Sequence, residues 1–200
     1  RDSQTYKIAR LYKRTKVTMI KIVQNGDPVL RKVAEEVPIT SIAKPKIEKV
    51  IADMVQALYS QDDGVAIAAP QIGVSLRIFV VSGKVFEEDF IRGKSPKTPK
   101  EGHAKKAPHH DIVFINPIIK KISKDRKLLA EGCLSVRPIY GKVRRATKAT
   151  VEAYDQHGKK FTMSGSGLLA HIFQHETDHL DGILFIDKAR DLHESTSEEE

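Results

Sequence analysis

Apolar residues recur at helical spacing in two segments of the chain. The first covers residues 45–60, where six apolar side chains share one face: Ile47, Val50, Ile51, Met54, Val55 and Leu58. The second covers residues 167–182, where the apolar residues are Leu168, Leu169, Ile172, Phe173 and Leu180. Each segment predicts a helix packed on a core. Ser164 or Ser166 could cap the start of the second helix, and Gly182 could end it.

Runs of branched residues outside these helices predict β-strands. Residues 76–82 and 112–120 are rich in Ile, Val and Phe. Residues 143–154 alternate partly, the turn sequence DQHG follows at 155–158, and residues 159–164 return. This order predicts an antiparallel hairpin that leads into the second helix. Residues 183–186 predict a short apolar strand or the start of a helix.

The second helical segment contains a candidate metal site. His175 and His179 are four residues apart, so a helix would place both imidazoles on one face, where they could bind a single ion. Glu176 lies next to them, and a carboxylate beside a metal site can act as a general base toward water. An HExxH pattern also arises by chance in helices with two surface histidines, but the apolar surround favours a buried site. We therefore expect an α+β fold in which mainly antiparallel strands surround a central HExxH metal-binding helix.

A hydrolytic metal site of this kind needs a third protein ligand. Phe185 occupies the position at which an HExxHxxGxxH pattern would supply a third histidine, and the acidic residues beyond 192 lie in a polar segment. Cys133, the only cysteine, lies upstream in the sequence EGCLS. A thiolate binds borderline metal ions well, and Gly132 would leave this thiol open. A single cysteine is more often a small buried apolar residue, so the residues alone leave both interpretations open.

Composition limits the class of protein. The 200 residues are 40% apolar and 30% charged without a long apolar run, which predicts one globular domain and no membrane-spanning helix. One cysteine excludes an intramolecular disulfide framework. The net charge is +8, but the first 18 residues hold six basic residues against one acidic residue, a surplus of five, which leaves +3 for the rest. A nucleic-acid-binding function loses most of its support because the basic excess is mainly terminal.

Charge and periodicity also predict the boundaries of the domain. Residues 1–18 form a basic extension, which we interpret as an upstream addition, an organellar transit segment or a functional arm. Residues 19–192 form the folded domain. Within it, residues 84–110 are charged, contain prolines and lack periodicity, which predicts a solvated insertion rather than a second metal site. Residues 193–200 form an acidic tail.

Three short segments occur in a fixed order along the domain: GVAIAAPQIG at 64–73, EGCLS at 131–135 and QHETDH at 174–179. Together they resemble the three motifs of the peptide deformylase family. The resemblance extends from about residue 19 to residue 187, so 19–192 would be a deformylase-like catalytic domain. It implies that the metal ligands are Cys133, His175 and His179 and that Glu176 is the general base.

The resemblance also implies how the substrate is held. Gln71 and the backbone N–H of Leu134 would form the oxyanion site, and a side-chain amide suits this role because it donates without titrating. The small residues of the first motif leave the backbone accessible, so an extended peptide could pair with it as an added strand. The implied substrate-binding residues are Gly64, Val65, Ala66, Leu129, Leu168, His171 and Ile172.

His171 precedes His175 by one helical turn and is not predicted as a ligand. Successive histidines on this stripe rise by about 6 Å, so one ion can take only an adjacent pair. The pair of His171 and His175 would leave Glu176 outside the ligands instead of between them. The resemblance places His171 in the wall of the pocket.

The resemblance implies hydrolysis of the N-formyl group from the initiator methionine of nascent proteins, with release of formate. It implies one divalent metal ion, Fe²⁺ in the cell, for which Zn²⁺, Ni²⁺ or Co²⁺ could substitute; thiolate and imidazole ligands fit several of these ions. The implied partners are N-formylmethionyl nascent peptides and the ribosome near its exit tunnel, with no DNA and no membrane. The expected location is the bacterial cytoplasm, with organellar import through residues 1–18 as the alternative.

Two positions depart from the family pattern. The first motif usually has a glycine where this chain has Ala66, and the family often reads Val-Pro-Gly where this chain reads Val136-Arg137-Pro138. Both changes bear on substrate preference and rate rather than on the ligands. Two other functions stay open: a metal-independent cysteine hydrolase with Cys133 as nucleophile and His175 as base, and a non-catalytic deformylase-like binding protein.

Overall fold

The computed structural model of the protein describes residues 20–86 and 110–194. Within these ranges the chain forms two α-helices, α1 (Pro45–Tyr59) and α2 (Leu168–Leu180). The strands are β1 (Ala66–Ala68), β2 (Ile78–Val81), β3 (Ile112–Ile122), β4 (Arg126–Gly132), β5 (Ile139–Ala146), β6 (Lys148–Tyr154), β7 (Lys160–Ser166) and β8 (Arg190–Glu194). The structure is mixed α+β with mostly antiparallel strands, which confirms the predicted fold class at this level.

The strands form two sheets. The order is β1-β2-β3-β6-β7 in the five-stranded sheet and β4-β5-β8 in the three-stranded sheet, and all neighbouring strands are antiparallel. The predicted hairpin is present as β6 and β7, in which Tyr154 pairs with Lys160. The prediction of one strand over 143–154 is wrong, because the chain leaves one sheet and enters the other at Thr147.

Periodicity missed β4 and β8 entirely. Most residues of β4 and all residues of β8 are exposed, so neither strand shows the alternation of apolar and polar residues that marks a half-buried strand. For residues 183–186 the sequence predicts a short strand or the start of a helix. The structure has a short 3-10 turn over Phe185–Asp187. Backbone pairing with a neighbouring strand, rather than an apolar face, defines β4 and β8.

Both helices pack as their apolar stripes predict. In α1, the buried side chains include Ile47, Ile51, Met54 and Leu58. Phe173 of α2 is fully buried against two rings of the five-stranded sheet, with 5.4 Å between its centroid and that of Phe114, which in turn stacks on Phe79 at 4.5 Å. Burying each such side chain stabilises the fold by about 1.5–3 kcal/mol. The aromatic cluster therefore holds α2 against the sheet.

Only the C-terminal end of α2 agrees with the prediction. The proposed serine cap is wrong: Gly167 is the N-cap, with φ of 55° and no side-chain cap, while Ser164 and Ser166 belong to β7. Gly182 follows the helix with φ of 73°, as predicted for a terminating glycine. A Cβ there would lie 2.7 Å from the Arg31 carbonyl oxygen, so close backbone packing also requires glycine.

The predicted terminal and insertion boundaries fall largely on residues 1–19, 87–109 and 195–200, which lie outside the described residues. At the insertion's start, a 3-10 turn covers Gly83–Phe86. At the other boundary, β8 continues to Glu194, two residues beyond the predicted end of the domain. Neither α1 nor α2 is long and apolar enough to cross a lipid bilayer.

Candidate metal centre and groove

Three donor atoms meet where β4 ends and α2 passes. Cys133 directly follows β4, and its sulfur lies with one ring nitrogen each of His175 and His179 in a cluster whose atoms are all within 4.8 Å of one another. Cys133 Sγ is 3.2 Å from His179 Nε2. Tetrahedral ligands at about 2.0–2.3 Å from a common ion lie roughly 3.3–3.6 Å apart, so this spacing suits one small divalent cation. The structure thus brings together the three predicted ligands.

Glu131 fixes the orientation of His175. Its Oε1 accepts a hydrogen bond from His175 Nδ1 at 2.5 Å, and its Oε2 accepts one from His171 Nε2 at 2.6 Å. The bond at Nδ1 leaves His175 Nε2 as the ligating nitrogen, an arrangement typical of metal-binding histidines. His171 therefore contacts the carboxylate behind the ligand, which agrees with its predicted exclusion from the ligand set.

Arg145 completes a buried ionic network behind the donor atoms. Its guanidinium donates two hydrogen bonds to Glu131, at 2.6 and 3.1 Å, and a third to Asp178 at 2.6 Å. Only 3% of Arg145 and 5% of Glu131 are exposed to solvent. The guanidinium therefore ties β5, β4 and α2 together at one point, and breaking such a buried pair costs about 3–5 kcal/mol.

The charges in this network shift the pKa values of its members. Burial would raise the pKa of Glu131, but hydrogen bonds from His171, His175 and Arg145 outweigh it and hold that pKa far below its usual range. Burial would likewise lower the pKa of Arg145, yet its bonds to Glu131 and Asp178 raise it. Glu131 is therefore a fixed anion that receives hydrogen bonds on both oxygens.

The pKa values of the two ligand histidines are shifted in opposite directions. Burial would lower the pKa of His175, but hydrogen bonds with Cys133 and Glu131 raise it well above its ordinary value. Burial, followed by the charge of His175, lowers the pKa of His179 well below its ordinary value. Metal binding at this cluster would release protons, because thiolate and imidazole ligands bind a metal only when they are deprotonated.

Glu176 has the surroundings of a general base. It is buried beside the two histidines, and its Oε2 forms no hydrogen bond to any part of the chain that the structure describes. Burial is the main reason that its pKa rises to about 7. A carboxylate that exchanges its proton near neutral pH, has one unsatisfied oxygen and belongs to a residue that lines a groove is suited to take a proton from water.

These donors fit a divalent transition metal. One thiolate and two imidazoles match the preferences of Fe²⁺, Zn²⁺, Ni²⁺ and Co²⁺ better than those of Mg²⁺ or Ca²⁺, which favour oxygen. Three protein ligands also leave a position open, as hydrolytic sites require. The buried and unsatisfied Glu176 oxygen adjoins this cluster, which is consistent with a site built around a bound ion and water.

The predicted oxyanion donors border the same space. The Ala68 N–H donates to Gln71 Oε1 at 2.8 Å, which orients the amide so that Nε2 lies 3.2 Å from Ser135 Oγ and 3.5 Å from Cys133 Sγ. The N–H of Leu134 donates to no group within residues 20–86 and 110–194. Two hydrogen-bond donors, Gln71 Nε2 and the Leu134 N–H, are therefore held beside the cluster of candidate metal ligands.

A groove of about 270 Å³ opens over this cluster. Six of the seven predicted substrate-binding residues line it: Gly64, Val65, Ala66, Leu168, His171 and Ile172. Leu129 is not among the lining residues, whereas Ala130, Glu131 and Gly132, which follow it on β4, all are. The groove therefore has the predicted apolar wall, with a different residue contributed by β4.

Several lining residues had no assigned role in the sequence. Asp63 and Arg137 both line the groove and form an ion pair at 2.5 Å. A Cβ at Gly132 would lie 2.6 Å from the ring of Tyr140, so this glycine makes room for the ring in addition to leaving the thiol accessible. Glu131 could have been noticed as part of the EGCLS motif. No sequence signal links Arg145 to the site, because the fold alone brings it there.

The chain matches known proteins over most of its length. The family model described as polypeptide deformylase matches residues 19–195. Peptide deformylase 1A, chloroplastic/mitochondrial, of Arabidopsis thaliana is 41% identical over 88% of this chain. The match spans only 63% of the length of that plant protein. Peptide deformylase of Carboxydothermus hydrogenoformans is 39% identical, and the match covers 88% of this chain and 97% of the relative.

Solved structures agree with the sequence match. The crystal structure of a peptide deformylase from Legionella pneumophila superposes with a TM-score of 0.68 at 38% identity, and the match covers 86% of this chain and 87% of that one. Sequence and fold therefore point the same way, and the chain belongs to the polypeptide deformylase family.

Proposed function

We propose that the protein removes the N-formyl group from the initiator methionine of nascent peptides and releases formate. The observation that carries this proposal is the cluster of Cys133, His175 and His179 beside a groove that Cys133, His175 and Glu176 line. Membership of the family supports the reaction type. We further propose that α2 is the central, metal-binding helix around which the strands are arranged.

The metal ion and the protein side chains would have different roles in hydrolysis. A divalent cation held by Cys133, His175 and His179 would supply Lewis acidity and lower the pKa of water. Glu176 takes the proton from the attacking water and then protonates the departing amine, since its pKa allows both steps near neutral pH. We propose Fe²⁺ as the cellular ion, with Zn²⁺, Ni²⁺ or Co²⁺ as substitutes.

Gln71 and Leu134 would stabilise the oxyanion that forms on the formyl oxygen. The Gln71 amide is held by the Ala68 N–H and cannot turn its oxygen toward the substrate without losing that bond. Its Nε2 and the Leu134 N–H thus offer donors and no competing lone pair, and the formyl oxygen would replace Cys133 Sγ as an acceptor of the longer Nε2 bond, at 3.5 Å. Donors that are oriented before the reaction stabilise developing charge without reorganisation.

The walls of the groove suit an extended peptide with an unbranched apolar first residue. Val65, Leu168 and Ile172 supply an aliphatic surface. The edge of β4 at Ala130–Gly132 and the segment Gly64–Ala66 offer backbone groups on either side, where a peptide could pair as an added strand. The methyl group of Ala66 narrows this side relative to glycine, which bears on substrate preference.

We also propose where the protein acts and which residues form its catalytic domain. The relatives include a chloroplastic/mitochondrial plant protein and bacterial proteins, so we propose action wherever formylated peptides are made, with the bacterial cytoplasm first. Residues 19–192 would be the catalytic domain, with the insertion at 84–110 and the segments 1–18 and 193–200 outside the reaction.

Formate release from a formyl-Met-Ala peptide tests the proposal directly. Protein loaded with Fe²⁺ under anaerobic conditions, or with Ni²⁺, should release formate, and dialysis against a strong chelator should abolish this until metal is restored. Glu176→Gln should keep its metal while turnover falls by about 10² or more, since the amide cannot accept the proton. Turnover that survives complete metal removal would instead indicate a cysteine hydrolase, and peptide binding without formate release would indicate a binding protein.

A further inference from the structure

The outer face of the three-stranded sheet carries a cluster of cations. A groove of about 300 Å³ on this face is lined by Leu128 and five cations: Arg126 on β4, Lys142 and Arg144 on β5, Lys188 just before β8 and Arg190 on β8. We call these residues the basic face. All six are exposed, and none is among the residues that line the catalytic groove.

The register of the sheet places these side chains side by side. Lys142 is paired with Arg190 across β5 and β8, and Leu128 is paired with Arg144 across β4 and β5. Neighbouring strands lie about 4.8 Å apart and alternate residues of one strand about 6.8 Å apart, so the cations form a regular two-dimensional array. Three strands contribute to it, although their residues are scattered over more than sixty positions in the sequence.

Most of the positive charge on this face is not neutralised. Lys142 pairs with Asp191 at 3.1 Å and Lys188 pairs with Asp178 at 2.7 Å. Arg126, Arg144 and Arg190 form no ion pair with any residue in the described ranges. Like charges at cross-strand distance destabilise a sheet, so an array of this kind is more favourable when an anion lies over it.

The chemistry of the array favours phosphate groups as the ligand. The three unpaired cations are arginines, whose planar forks bind phosphate oxygens in pairs and are less strongly hydrated than ammonium groups. The repeat of the array suits a ligand with regularly spaced charges. The six lining residues include no aromatic side chain, so contacts to the backbone of a polyanion, rather than stacking on bases, are expected.

A lipid surface fits the same face less well. Membrane-binding faces combine cations with several apolar or aromatic side chains that enter the bilayer. Here Leu128 is the one apolar residue among the six that line the groove. Leu192 is also exposed, but its side chain lies beside Gly141, on the opposite side of the sheet from Arg190. The face is therefore cationic rather than amphipathic.

From this array we infer that the basic face is a docking surface for RNA, bound through its phosphate backbone without sequence preference. The residues of this surface do not line the catalytic groove, although Lys142 pairs across the sheet with Ala130, which does. The cations were hidden in the sequence because the excess charge is concentrated at residues 1–18, whereas the sheet gathers a second cluster from distant positions.

Binding of a fluorescently labelled oligouridine to the full chain, measured by anisotropy over a range of salt concentrations, tests this inference. The variant Arg126→Gln/Arg144→Gln/Arg190→Gln should bind at least 10-fold more weakly at low salt. The slope of log K against log salt should fall by about 2, at roughly 0.7 for each phosphate contact to a single strand. Formate release by this variant should be unchanged.

The matched control is Lys44→Gln/Lys46→Gln/Lys49→Gln, which removes the same charge at and near the start of α1. All proteins retain residues 1–18 and 195–200, so those segments contribute equally. Equal losses in both variants would mean that only net charge matters and would overturn the proposal. Loss of binding to vesicles of phosphatidylserine and phosphatidylcholine without loss of oligouridine binding would overturn it in favour of a membrane. If the triple variant does not fold, Arg144→Gln alone should still lower the affinity by 2-fold or more, and unchanged affinity would contradict the inference.

Discussion

Arg144 and Arg145 are neighbours on β5, yet the two faces of the sheet give them opposite surroundings. Arg145 is buried and bound on three of its hydrogen-bonding positions by Glu131 and Asp178. Arg144 is exposed and has no ion pair among the described residues. An arginine side chain is therefore a fixed part of the metal centre on one face of the sheet, and a cation available to a ligand on the other face.

The difference lies in desolvation. On the inner face, a charge without a partner would be costly, so every member of the network is paired and its geometry is fixed. On the outer face, water satisfies the charges, so they need no protein partner and remain able to exchange water for a ligand. Substitutions in the buried ionic network should therefore change stability and metal binding, and those in the basic face should change only intermolecular contacts.

The largest effect is expected at a ligand on the inner side. His175→Ala should reduce metal affinity by more than about 100-fold, since losing a ligand exceeds the 10–100-fold effect of losing one of its hydrogen-bonding partners. Turnover should fall with metal content, measured by mass spectrometry after dialysis. His171→Ala, one turn earlier, is the control and should retain its metal. Full occupancy in His175→Ala would remove that residue from the site.

The next effect is expected in the ionic network itself. Arg145→Met should lower the free energy of unfolding by about 3–5 kcal/mol, because Glu131 and Asp178 remain buried without their partner. Urea denaturation of the metal-loaded protein measures this change. Metal affinity should fall as well, by roughly 10–100-fold, because Glu131 would no longer hold His175 firmly. A loss below about 1 kcal/mol would show that water replaces the guanidinium.

A smaller effect is expected in the groove, where Leu168 is 42% exposed and tolerates substitution better than a core residue. Leu168→Asp should cut kcat/KM for formyl-Met peptides by about 10-fold, since an aliphatic contact becomes a solvated carboxylate. The ratio of formyl-Met to formyl-Ala turnover should fall too, while metal content stays unchanged. An unchanged ratio in the folded, metal-loaded variant would place Leu168 outside the pocket for the first residue.

The smallest effect is expected at the outer arginine. Arg144→Met should change the free energy of unfolding by no more than about 0.5 kcal/mol, because no described residue loses an ion pair. It makes the same chemical change as Arg145→Met one position away, which isolates the effect of the sheet face. Metal content and formate release should match those of the unmodified protein. Destabilisation similar to that of Arg145→Met would show that the two faces do not differ as described.

The sequence predicted the metal site better than it predicted the fold around it. His175 and His179 are encoded by local helical spacing, and Cys133 follows from the ordered motifs, so their convergence could be anticipated. The role of Arg145 could not, because it depends on the pairing of β4 with β5 and on the packing of α2. Polar strands such as β8 were missed for the same reason: pairing partners define them, and a single sequence does not show partners.

Leu129 and the N-cap of α2 were misjudged through local geometry. The groove begins at Ala130, one residue after Leu129, and a single sequence does not show how far along β4 the groove extends. Gly167 takes the cap position because the chain must turn sharply out of β7, where a positive φ is needed and a serine would be strained.

The ion pair between Asp63 and Arg137 has a consequence for selective inhibition. Both side chains are partly exposed, so the pair contributes about 0.2–1 kcal/mol and opens at little cost. A compound that fills the groove and extends a carboxylate to the rim could displace Asp63 and bind the guanidinium in its place. Related proteins with proline at this position offer no such cation, so an acidic extension would distinguish this protein from them by charge alone.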